Sequence, residues 1–211
     1  MSVYQHPGDL DRCLEALRKD LLRDDGPQIS TTRNYNFAIL PYAPDLEFRL
    51  RREISRLCQD LREARWNVGM IGLHSLLLDR LRSQGPDFLS AMVEREKRLA
   101  GKSDPWRGLT TLKERVVSLI EGPEGLAADV IREVNRILDQ DPEAPETVIF
   151  LSRAGALYPF FRTSSLLKHV AGHTRNVPVV LLYPGRVDDD GGLSFMGILP
   201  ADRDYRPRIY R

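Results

Sequence analysis

The 211-residue chain predicts an α/β fold: a mostly parallel, doubly wound sheet of about five strands, with helices on both faces, a helical insertion and an antiparallel edge hairpin. Three observations predict it. Short, nearly continuous apolar runs recur along the chain (NFAIL, NVGMIGL, ETVIFL, VPVVLLY and LSFMGIL), the pattern of strands covered on both faces. Most of them are separated by stretches whose apolar residues recur at helical spacing. The resulting order, α-β-α-β-α…α-β-α-β-β, is the alternation of a layered α/β domain.

Residues 9–23 form the first helix, with Leu10, Cys13, Leu14, Leu17 and Leu21 on one face and Gly26-Pro27 ending it. Residues 36–40 (NFAIL) read as a short buried strand closed by Pro41 and Pro44, because proline gives up a ladder donor. Residues 45–65 carry the clearest helical stripe: Leu46, Leu50, Ile54, Leu57, Cys58 and Leu61 lie on one face and Arg49, Arg52, Glu53, Arg56, Asp60 and Glu63 on the other. Each large apolar residue of that stripe stabilises by about 1.5–3 kcal/mol when fully buried, enough to dock the helix on a sheet. Residues 67–73 read as a second strand, with Ser75 placed to cap the helix that follows.

From residue 85 to about residue 140 the chain reads as helical, broken at Asp104-Pro105 and at Gly122-Pro123. Residues 85–122 are expected to be an insertion or cover within a single domain spanning residues 1–211. Residues 146–151 (ETVIFL) give the strongest strand pattern, followed by a loop, SRAGALYPFFRTSS, whose serines can cap a helix stopping at Gly172. Residues 177–183 form a further buried strand ended by Pro184-Gly185, and residues 193–199 a last one, joined to it as an edge hairpin through RVDDDGG. The tail, ADRDYRPRIYR, reads as polar and irregular.

Composition is that of an ordinary folded protein, 42% hydrophobic and 29% charged, which excludes a disordered chain. The two cysteines, Cys13 and Cys58, are too few for a disulfide framework and lack zinc spacing. Both fall on apolar stripes and are expected to be buried thiols. The first residues lack the apolar core of a secretory signal, and no run is long enough to span a bilayer, so a cytoplasmic location is expected. Net charge is +1, but residues 147–187 hold no Asp or Glu and five cations: Arg153, Arg162, Lys168, Arg175 and Arg186. That window suits either a basic surface for phosphate or an acidic partner, or core strand and helix, where acids are rare.

No phosphate-binding loop, dinucleotide fingerprint or nucleophile elbow is present. Ser152 ends a strong strand but has no identifiable base beside it. His169 and His173 stand four apart, with Gly172 expected to end their helix between them; a surface pair is the expectation, and no metal site. Asp188, Asp189 and Asp190 lack the alternating ligand spacing of a calcium loop and read as an acidic turn. In open parallel sheets, ligands bind beyond the carboxyl ends of the strands. Those ends carry Tyr42, His74, Ser152, Arg153, Tyr183 and Gly185, with Tyr158 and Arg162 following closely. Arg153, Tyr158 and Arg162 either converge on an anion or belong to an aromatic plug or a docking face.

The blocks TVIFLSRAGALYPFFRTSSLL, VPVVLLYPG and GLSFMGILPADRDYRPRIY resemble the C-terminal half of the BrxB family of bacteriophage exclusion (BREX) systems. NFAILPYAPDLEFRLRREI, with the Leu-rich helix after it, resembles the N-terminal half. The helical middle carries least of the likeness. BREX systems mark host DNA by methylation and block phage replication. The resemblance implies a small non-catalytic adaptor subunit that binds PglZ, a large alkaline-phosphatase-like component, and through it the methyltransferase, with no cofactor. Arg153, Tyr158, Arg162, Tyr183, Tyr205 and Arg206 match the family pattern by position and are the candidates for partner or anion binding. A nucleic-acid-binding module of the same system, touching DNA directly, is the alternative, motivated by the acid-free window and the arginines of the tail.

Overall fold

The computed structural model describes residues 7–23, 25–29, 36–100, 105–161, 163–170, 172–203 and 207–211. Helix α1 (Pro7–Leu21) leads into strand β1 (Phe37–Tyr42), a 3-10 turn and helix α2 (Glu47–Glu63). Strand β2 (Trp66–Gly72) runs directly into α3 (Leu73–Arg82), followed by α4 (Pro86–Ala100), α5 (Pro105–Ile120) and α6 (Leu126–Gln140). Then come β3 (Glu146–Ser152), α7 (Thr163–Val170), β4 (Val179–Val187), β5 (Leu193–Phe195) and β6 (Arg208–Ile209). The sheet order is β2-β3-β4-β1-β6, every neighbouring pair parallel, with β5 antiparallel to β4. The doubly wound α/β class predicted from the sequence is the fold.

Alternation along the strands sorts the core into two layers. On one face Ala38, Leu40, Val148, Phe150, Val180 and Leu182 meet the leucine stripes of α1 and α2. On the other, Ile39, Ile71, Ile149, Leu151, Val179 and Leu181 meet α3, α6 and α7. Helices α4 and α5 pack on each other and on α3, outside that layer. The cysteines are buried in the first layer, where burial pushes both thiols above their usual range and keeps them protonated. At Gly69 a Cβ would stand 2.5 Å from the Ile149 Cδ1 and 2.9 Å from the Ile137 Cδ1 of α6, so any larger residue would make these side chains shift where α6 seats on β2.

Several local expectations are corrected. Pro41 does not end β1; it sits in register with Tyr183. Ile39 turns its carbonyl to Tyr210 on the β6 side, so Pro41, two residues on, faces that same side. There β6 pairs only with Ala38 and Ile39, and no donor is needed. Pro184 does not end β4 for a similar reason. Its nitrogen faces the β3 side, beyond the last β3–β4 pair at Leu151 and Leu181. The antiparallel hairpin is present, but β5 pairs with the extension of β4, a central strand. Residues 196–199, expected in that strand, form a turn, with Met196 and Gly197 both at positive φ. Ser75 does not cap α3, whose N-cap is Gly72, and α7 starts at Thr163, ahead of the serines. The tail contributes β6, which two residues of pattern cannot announce.

Candidate functional site

The carboxyl ends of β1, β3 and β4, the exposed Met70 of β2 and the first turns of α2 enclose a cleft of about 230 Å³. Its apolar floor is Leu50, Ile54 and Leu182; its polar lining is Tyr42, Glu47, Arg51, Ser55, Ser152 and Arg153. The cleft lies at the strand-end position where parallel sheets take ligands. Arg153 follows β3 in the left-handed conformation, φ 61°, which costs a non-glycine residue about 1–2 kcal/mol. It turns the chain so that the guanidinium lines the cleft.

Inside the cleft, the Tyr42 hydroxyl donates to the Glu47 carboxylate. Burial, then that carboxylate, push the Tyr42 phenol far above its usual range, against the opposing pull of Arg153. The shift favours the protonated phenol, which donates to Glu47. Ser152 donates to the Ile71 carbonyl at 3.3 Å, and no histidine lines the cleft. Two guanidiniums beside one carboxylate, itself engaged by a phenol, leave a modest positive excess suited to holding a carboxylate or phosphate.

The structure divides the residues singled out from the sequence. It brings Arg153 together with Tyr42 and Ser152. Tyr158 and Tyr183 lie on the opposite face of the sheet, either side of the Phe195 ring at centroid distances of 6.5 and 5.5 Å. Tyr183 is fully buried, and its hydroxyl donates to the Leu193 carbonyl at 3.3 Å. It packs the base of the β4–β5 hairpin, where Gly185 leaves room: a Cβ there would lie 2.5 Å from the Tyr183 ring and 2.3 Å from the Ser194 carbonyl. Arg162, Tyr205 and Arg206 lie outside the described residues. The basic window is split as well. Arg153 is at the carboxyl end of the strands, whereas Arg175 lies before the start of β4 and pairs with Asp139 at 2.6 Å.

Sequence reading missed Glu47, Arg51 and Ser55. They stand four residues apart along α2, one helical face, between the apolar stripe and the charged face; that spacing, just after the aromatic end of β1, was the available signal. The acidic turn is held by its own backbone and by an Asp190–Arg203 pair at 2.5 Å. Among the described residues no group of His, Cys, Asp or Glu is placed to hold a metal. A larger groove between α3 and α6 is ionic. Its Arg80 joins Asp129 at 2.5 Å and also donates to the carbonyls of Leu119 and Gly125, tying α3, α5 and α6 together. No helix among the described residues is long and apolar enough to cross a membrane.

The family model described as BREX protein BrxB matches residues 70–209, from the end of β2 through β6, the helical middle included. The N-terminal α1, β1, all of α2 and the first four residues of β2 lie outside the matched residues. No curated protein and no solved structure matched the chain. The chain thus belongs to the BrxB family and is a component of a BREX phage-defence system.

Proposed function

We propose that this protein is a non-catalytic adaptor of the BREX assembly, acting in the cytoplasm, which binds the PglZ component and through it supports host DNA methylation and phage exclusion. The observation that carries the reading is the state of three strand-end hydroxyls. Tyr42 is engaged by Glu47, Ser152 by the Ile71 carbonyl and Tyr183 by the Leu193 carbonyl. Groups satisfied within the fold hold a shape, whereas a general base or nucleophile needs a partner poised on the substrate side. A rigid layered scaffold with charged outer grooves suits docking.

The test is co-purification. The tagged chain, expressed with its PglZ-type neighbour, should co-elute with it at constant stoichiometry through size exclusion. Failure to co-elute with that component would remove the PglZ assignment.

A further inference from the structure

Within the described residues, strand β2 is one margin of the sheet, paired with β3 over all seven residues and with nothing on its other side. The direction of its free hydrogen-bonding groups follows from its neighbours. Ile149 donates its N–H to the Pro178 carbonyl on the β4 side, so residues 148, 150 and 152 of β3 face β2. The Ser152 hydroxyl reaches the Ile71 carbonyl, which turns residues 67, 69 and 71 of β2 inward. The N–H and C=O groups of Trp66, Val68 and Met70 therefore point outward, with the N–H of Gly72, whose carbonyl instead opens the hydrogen-bond ladder of α3. The strand carries no charge, proline or bulge, the devices by which exposed edges are usually blunted. One contact touches this row: Arg62 of α2 donates to the Val68 carbonyl at 3.4 Å.

The flank of α2 over this margin is cationic. Arg51 lines the cleft beside Met70, and Arg62 reaches Val68. Eleven residues separate them, about 16 Å of helix, or roughly five residues of extended chain. Phe48, 73% exposed, lies under the Arg51 guanidinium at 5.8 Å, and Met70 is 44% exposed. Self-pairing of two β2 strands in antiparallel sense would bring the Arg62 end of one α2 flank to the Arg51 end of the other, like charge against like. An acidic strand meets complementary charge instead.

We propose that β2 is a docking edge which takes an extended, acidic segment of a partner protein as an added strand. Alternate carboxylates of that segment face Arg51 and Arg62, and the intervening apolar side chains lie on the α6 side, near Asn67 and Ile71. This deepens the adaptor reading and rests on it.

The probe is a decapeptide of alternating Glu and Val, with a Lys–Val peptide as its counterpart, added to the full chain. The Glu–Val peptide is expected to bind and to slow amide exchange at Val68 and Met70; the Lys–Val peptide is expected to do neither. Met70→Pro removes one outward N–H, and Gly69 before it has no Cβ to clash with the ring. It should weaken the Glu–Val peptide by at least ~10-fold with unchanged circular dichroism. Should that variant fail to fold, Arg51→Glu with Arg62→Glu carries the test: the preference should pass to the Lys–Val peptide. Equal or absent binding of the two peptides, protection away from β2, or unaltered preference in the double variant overturns the proposal. If the wild-type chain co-elutes with PglZ and a folded Met70→Pro variant does so equally well, the edge is excluded while the adaptor reading stands. Loss of wild-type co-elution removes the PglZ reading alone.

Discussion

At one margin of the sheet β6 contributes two residues, and side chains tie it down. Arg208 pairs with Asp20 of α1 at 2.6 Å, donates to the Gln28 carbonyl at 3.1 Å and lies 4.8 Å over the Tyr210 ring. Tyr210 is buried and donates its hydroxyl to the same Asp20 at 3.1 Å. At the other margin β2 runs for seven uncharged residues, with a single side-chain hydrogen bond to its outward backbone among the described residues. A short edge stapled to a helix resists further pairing, and a long bare edge invites it. The contrast teaches that, among the described residues, side chains close the sheet on the β6 side and leave the β2 side bare.

The largest expected effect is on the seat of the open edge. Gly69→Val drives a side chain into Ile149 and Ile137 and should destabilise by about 3 kcal/mol, read as a lower urea midpoint at unchanged slope. An unchanged midpoint would mean that α6 does not rest on β2 as described. On the closed edge, Arg208→Ala leaves the half-buried Asp20 with Tyr210 as its remaining side-chain partner among the described residues. Because Arg208 is itself 32% exposed, solvent screening limits the loss to about 2 kcal/mol. Thermal unfolding with amide exchange at Ile209 and Tyr210 checks both size and place.

Tyr210→Phe removes one hydrogen bond and should cost about 1 kcal/mol at neutral pH. It also carries a pH signature. Burial first, and then Asp20, raise the Tyr210 phenol above its ordinary value of 10.0, so the folded state favours the protonated form. The resulting stability is fully present below about pH 10 and is lost as pH rises further. Alkaline unfolding should be shallower in Tyr210→Phe than in wild type; identical slopes would deny the shift. The smallest change in stability belongs to Met70→Lys, within about 0.5 kcal/mol for an exposed side chain. It adds a cation beside Arg51 on the bare edge and should tighten binding of the Glu–Val peptide at low salt, measured by calorimetry.

The layered α/β class and the helices α1, α2 and α6 were legible because periodicity reports burial, and burial here is set by which face of an element meets the sheet. Pro41 and Pro184 misled for a physical reason. A proline breaks a strand only where its nitrogen faces a neighbour, and neighbours are decided by strand order. Strand β6 and the pairing of β5 with a central strand were hidden likewise, since two or three residues gain their structure from the partner they meet. Of the candidate site, Arg153, Tyr42 and Ser152 were found by the rule that strand ends carry function. Tyr158, beyond β3, belongs to the opposite layer because the left-handed Arg153 resets the direction of the chain, whereas Tyr183 lies within β4 and shares the face of Val179 and Leu181 by strand alternation.

The amino-acid sequence by itself determined the two apolar stripes that clothe the sheet, the buried thiols and the family blocks from β3 to β6. All follow from local alternation between apolar and polar residues, which any chain context preserves. Strand order was decided only by tertiary structure, and with it which edge lies bare, which prolines are harmless and which arginines flank a cleft. These depend on contacts between residues far apart along the chain, where many arrangements satisfy the same local pattern and the packing of whole layers selects one.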